Sequence, residues 1–139
     1  MKNLLSFGQA VKWSQFLFGV VCLFHLAVII GIVAFDYVPL DFLWGGQMDT
    51  KEELLNFEFL SLGIMILCIV VVAVRTGRIN MPKLVGVSRV LLWVLTALFL
   101  LNTVGNIVAQ TTFEKSFAAL TAILTVLCLR MALEKVTTS

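Results

Sequence analysis

A chain of 139 residues is long enough for one domain, and 60% of it is hydrophobic while only 13% is charged. A soluble domain carries about 25% charged residues, and so short a chain has no core large enough to hide the surplus apolar surface, so lipid is its natural solvent. The net charge of +2, with no basic run interleaved with aromatics, gives no basis for a nucleic-acid partner, and Cys22, Cys68 and Cys128 lie singly in apolar runs without the Cys-x-x-Cys pairing of thiol redox or zinc-ribbon sites.

The first element is the apolar run Phe16–Phe35, preceded by Lys2 and Lys12. It exceeds the ~7–15 residues of a secretory h-region, and no small-x-small cleavage site follows. It reads as a retained helix. The second apolar run, Leu54–Val74, holds one acid, Glu58. The third is Val90–Ala109. The fourth, Phe117–Leu133, is short and carries Arg130 near its end, a position from which an arginine snorkels to the headgroups. With their flanks these runs predict four spans at about 14–36, 52–75, 86–110 and 113–134 in a single domain covering 1–139, since a crossing needs ~20 mostly apolar residues.

Cap signals sharpen the ends. Thr50-Lys51-Glu52-Glu53 and Thr111-Thr112-Phe113-Glu114 are capping-box patterns. Gly77 suits the end of the second helix and Pro82 an early position in the third. Short connections predict antiparallel neighbours, hence an all-α, up-down-up-down four-helix bundle. The first loop holds Asp36, Asp41, Asp49, Glu52 and Glu53 against Lys51, a net of −4, whereas the second holds Arg75, Arg78, Lys83 and Arg89, a net of +4. Positive segments stay in the cytoplasm, so both termini and the second loop are expected inside, and the first and third loops outside.

Polar side chains within spans are costly in hydrocarbon and normally face the bundle interior. Glu58 lies four residues past Leu54, ~6 Å below the outer end of that apolar run. It suits a proton site, a cation ligand or a general base, against the plainer reading of a hydrogen-bonded or wet carboxylate near the interface. Ser61 and Met65 share its face. Asn102 and Asn106 share a face of the third helix at ~10 and ~5 Å depth. Asparagines there commonly join helices, but two at the depth of Glu58 also suit one shared site. His25, the single histidine, lies ten residues from Phe35, ~15 Å from the outer end, so upright helices would leave it ~9 Å deeper than Glu58. It reads as a packed neutral donor or a proton relay, and with no second histidine no metal site is expected. Thr121 and Thr125 read as back-bonded to their own helix, with Thr121 in reach of the pocket wall.

The first loop combines Val38, Pro39, Leu40, Phe42, Leu43 and Trp44 with Gly45-Gly46. It is expected to lie along the interface or tuck over the bundle, with Trp44 at headgroup level and the glycines allowing a sharp turn. Its acids read as a solvated face rather than a calcium site. Phe57-Glu58 and Phe113-Glu114 occupy similar places in the two hairpins, a match too small to establish duplication.

The stretches Leu43-Trp44-Gly45-Gly46, Asn56-Phe57-Glu58, Leu101-Asn102-Thr103-Val104-Gly105-Asn106 and Thr112-Phe113-Glu114-Lys115 resemble a pattern in a family of small bacterial four-span membrane proteins. The resemblance covers most of the chain after Asp36. It implies the same topology and marks the same polar residues, but it implies no reaction, because that family has no assigned activity. Vitamin K epoxide reductases and disulfide-bond oxidoreductases fit worse, since their cysteine pairs are absent. Small multidrug transporters place their acid in the first span, where this chain has none.

The sequence thus predicts a small multi-pass protein of a bacterial cytoplasmic membrane with an outward-facing polar pocket of Glu58, Asn102, Asn106, Ser61, Thr121 and His25. The pocket binds a small ligand or lipid headgroup, or conducts a proton or solute, without metal or cofactor. Two alternatives stay open. One is an accessory subunit whose intramembrane amides and acid meet a membrane-protein partner or a second copy. The other is a lipid-acting enzyme using Glu58 and His25.

Overall fold

The computed structural model describes residues 5–109 and 111–135. Lys2 of the positive tail and Gln110, the last residue of the third predicted span, lie outside them. The described chain is all-helical: α1 (Phe7–Phe35), α2 (Lys51–Arg75), α3 (Val85–Val108) and α4 (Thr112–Leu133) are each long and apolar enough to cross a membrane.

The helix ends follow from local chemistry. Ser6 caps α1 by accepting from the Gln9 backbone N–H at 3.1 Å, while the Gln9 side chain accepts from Ser6 N–H at 2.9 Å. This box starts α1 well before the predicted span, because the cap lies in a polar tail that hydrophobicity does not mark. Asp36 ends α1 in the left-handed region at φ 52°. Thr50 caps α2 as expected, accepting from Glu53 N–H at 3.2 Å, but the Glu53 carboxylate accepts from Asp49 rather than from the cap residue. Gly77, at φ 72°, follows the last turn of α2, and Pro82 opens a 3-10 turn that leads into α3. Thr111 caps α4 and also donates to the Glu114 carboxylate at 2.9 Å.

Helix α1 packs on α2 and α4, and α3 packs on α4 and α2, with the α3–α4 contact the most extensive. The shared core is apolar: Phe18 stacks on Phe99 at 5.8 Å, and Cys68, Val72, Leu92, Leu124, Cys128 and Met131 close around them. The cysteines behave as small hydrophobes there. Leu23, Val94, Leu101 and Ile107 remain exposed on the outer faces, which is what a lipid solvent permits. The 36–50 loop tucks over one end, with Leu43 buried against Ile32 and Leu54, while Phe42 stays exposed.

Arginines organise the other end. Arg130 is 4% exposed. It does not snorkel to water, because protein acceptors meet it first: the Leu5 carbonyl at 2.8 Å and the Glu134 carboxylate at 2.7 Å. Arg89 donates to the Ala132 carbonyl at 2.9 Å and Arg75 to that of Glu134 at 2.6 Å. Arg89 and Arg75 thereby satisfy carbonyls at the C-terminal end of α4 that a helix leaves without intrahelical partners, while Arg130 ties that end to the residue before the Ser6 cap.

Candidate functional site

The site begins with Glu58. It sits two turns into α2 and is 1% exposed. A carboxylate removed from water needs hydrogen-bond donors, and two arrive from different elements. His25 of α1 places Nδ1 2.7 Å from Glu58 Oε2. Trp44 donates its indole N–H to Oε1 at 2.9 Å. His25 Nε2 has no hydrogen-bond partner among the described residues.

The upright-helix offset of ~9 Å between His25 and Glu58 is therefore corrected. The Thr50 cap starts α2 at Lys51, three residues before the apolar run, so Glu58 lies ~10.5 Å along its helix. The offset falls to ~4.5 Å, within the reach of the two side chains that meet at 2.7 Å.

Trp44 was expected at headgroup level. Instead the loop turns it back into the protein. Its φ of 54° is left-handed, unusual for a bulky residue and costing about 1–3 kcal/mol. Gly46 follows at φ 63°, with the Asp41 carbonyl 3.7 Å from where a Cβ would stand. The indole also packs on Phe57, with ring centroids 5.4 Å apart. The loop ends are held by an ion pair of Lys51 with Asp36, whose carboxyl is lowered from its usual range by the Lys51 hydrogen bond and charge. The tie is present at neutral pH and is lost as pH falls through that depressed value.

Beside Glu58 lies a cavity of about 340 Å³, at the small end of the ~300–1,000 Å³ range of ligand pockets. His25, Glu58, Ser61, Asn102, Asn106 and Thr121 all line it. The asparagines do not serve Glu58 as donors, whose two oxygens are taken by His25 and Trp44. Asn102 is exposed and Asn106 half-buried, and neither amide has a side-chain partner among the described residues. Thr121 accepts from Thr103 at 3.0 Å and donates to its own helix at Phe117, and Thr125 back-bonds to Thr121. A second cavity of about 480 Å³ shares Trp44, Asn102, Asn106 and Glu114 with the first and adds Gln47. The second also carries Leu101, Val108 and Ala109, and the first adds apolar Ile64, Met65, Leu98 and Leu124.

No family model, curated protein or solved structure matches this chain.

Sequence reasoning missed two further contributors. Phe24, Phe113 and Phe117 form one aromatic cluster on the cavity, with centroids 5.2–6.4 Å apart. Glu114, read as a cap residue, is half-buried and lines both cavities. The available signal was the recurrence of Phe-Glu at 57–58 and 113–114. Chemically, the site offers a carboxylate-bonded imidazole, free amides near the opening and an aromatic wall. A ligand there is oriented by polar groups at one side and desolvated at the other.

Proposed function

We propose that the chain holds a small amphiphilic ligand in the Glu58 cavity, as a multi-pass protein of a bacterial cytoplasmic membrane. It is a single up-down-up-down four-helix bundle with both termini in the cytoplasm, and the cavity opens outward. The observation that carries this reading is Glu58, 1% exposed, with both oxygens engaged in the wall of a cavity that is mostly apolar and aromatic and holds a few polar side chains. Few convergent polar groups in an apolar pocket is the usual design of a small-molecule site.

Contacts in opposed sequence order support the alternation of direction. Gln15 meets Ile69 while His25 meets Glu58, and Thr103 meets Thr121 while Arg89 meets Ala132. The acids of α2 lie in its first turn and Arg75 in its last, which supports the orientation. The packed core between the cavity and the arginine end, with Phe18 and Cys68 fully buried, favours holding a ligand over conducting a solute.

Two measurements test the reading. In membrane vesicles, a cysteine at Gln47 should react with an impermeant maleimide from outside and one at Asn80 only from inside; the reverse refutes the orientation. In native mass spectrometry of the protein released from membranes, a saturating small-molecule adduct should be present and be lost in Leu120→Trp, which fills the cavity. Identical spectra from a folded Leu120→Trp protein refute the pocket.

One contact favours a second reading. A carboxylate bonded to an imidazole whose other nitrogen lacks a partner is also the arrangement of a general base. It supports a lipid-acting enzyme with His25 as base and Glu58 as its orienting group. Turnover of a membrane lipid that vanishes in His25→Gln would select it.

A further inference from the structure

Resting on the ligand-holding reading, we infer that the cavity is a site for an organic cation with an apolar body, such as a quaternary ammonium compound carrying an aromatic group. Three features of the lining lead there. Its charges are acidic: Glu58 and Glu114 contribute carboxyls, and no lysine or arginine lines it among the described residues. His25, the one basic group present, is already bonded to Glu58 at 2.7 Å. Its apolar surface is rich in rings, from Phe24, Phe113 and Phe117 on one hand and Trp44 and Phe57 on the other.

These features act in the same direction. An aromatic face carries the negative part of the ring quadrupole and attracts a cation, more strongly when water is excluded. The Glu114 carboxyl adds a field of the same sign, and Glu58 shares its charge with the imidazole bonded to it, so a cation is drawn to this wall without displacing the existing partners. An anion meets that field as repulsion with no guanidinium or ammonium group to offset it. A neutral apolar molecule fills the space but offers the half-buried Glu114 no counter-charge, leaving its side chain the Thr111 hydroxyl alone among the described residues. A zwitterionic headgroup brings a phosphate with its cation and gains less than the free cation. The adjoining cavity, with Gln47, Asn102 and Asn106 in its lining, adds uncharged hydrogen-bonding groups beside the site.

The test uses a pair of probes of one shape. Phenyltrimethylammonium and tert-butylbenzene differ only in the exchange of a charged nitrogen for carbon. Each is titrated calorimetrically into the full-length protein in a neutral maltoside detergent, with diheptanoylphosphatidylcholine as a third arm for the lipid source. Phenyltrimethylammonium should bind saturably, at least tenfold tighter than either other compound. Glu114→Gln keeps a capping side chain at its helix start and should weaken the cation at least fivefold while leaving tert-butylbenzene unchanged. Leu120→Trp should abolish binding of both. If tert-butylbenzene binds as well as the cation and Leu120→Trp removes it, the cation inference falls and the pocket reading stands. Tighter binding of the phosphatidylcholine overturns the free cation in favour of a lipid headgroup. If Leu120→Trp affects neither small probe, the inference and the pocket reading fall together.

Discussion

Replacing Glu58 by leucine is expected to destabilise the protein by about 2–5 kcal/mol, since each of two donors left without its acceptor costs about 1–3 kcal/mol. The loss is larger than a missing contact because two donors are stranded. His25 Nδ1 and the Trp44 indole both address this carboxylate, and each loses its acceptor. Glu58→Gln keeps an acceptor for one of them and should cost only about 1–2 kcal/mol. Pairing Glu58→Leu with His25→Phe removes one stranded donor, so the double variant should be about 1–3 kcal/mol more stable than additivity requires. Reversible unfolding in mixed micelles measures these variants together with His25→Phe alone, which closes the cycle. A Glu58→Leu cost below about 1 kcal/mol, or strict additivity, would contradict the buried network.

The second large effect is expected at Arg130. Its guanidinium bridges the Leu5 carbonyl and the Glu134 carboxylate while being 4% exposed. Hydrogen bonds from a charged donor contribute about 1.5–3 kcal/mol each, so Arg130→Met should cost about 3 kcal/mol. Because Leu5 directly precedes the Ser6 cap, amide exchange in the first turn of α1 should also accelerate. Arg130→Lys should recover little, since one ammonium cannot reproduce a planar fork aimed at two acceptors. A Met variant within about 0.5 kcal/mol of the parent would place it among neutral surface changes and would remove this clamp from the account.

The four apolar helices were legible because their signal is local. Runs such as Leu54–Val74 and Val90–Ala109 announce themselves by length and composition, and the threonine caps at 50 and 111 fixed two starts to within a residue. The start of α1 was not legible, since the Ser6–Gln9 box lies in a polar tail. The site was legible by residue type but not by partnership. Glu58, Asn102 and Asn106 were marked by their cost in lipid, and they do line one cavity. Which donor reaches which oxygen depends on how far each helix extends, and measuring depth from the apolar run instead of the cap hid the His25–Glu58 contact. Trp44 was further out of reach. Its role follows from a left-handed backbone at a residue type that rarely adopts one, and no composition rule predicts that. Arg130 was misread because sequence shows its distance from the helix end and not the carbonyl waiting for it.

The placement of Trp44 also has an optical consequence. The chain has three tryptophans; Trp13 and Trp93 are 53% and 44% exposed on the outer faces of α1 and α3, while Trp44 alone donates its indole N–H to a buried carboxylate. Emission from the outer pair reports the solvent around the helices, which does not change when the cavity fills. Emission from Trp44 responds to hydrogen bonding at its nitrogen and to whatever stands against its ring. With Trp13 and Trp93 replaced by phenylalanine, the remaining fluorescence becomes a single-residue readout of whether the loop still holds Glu58, and the protein carries its own chromophore at the wall of its cavity.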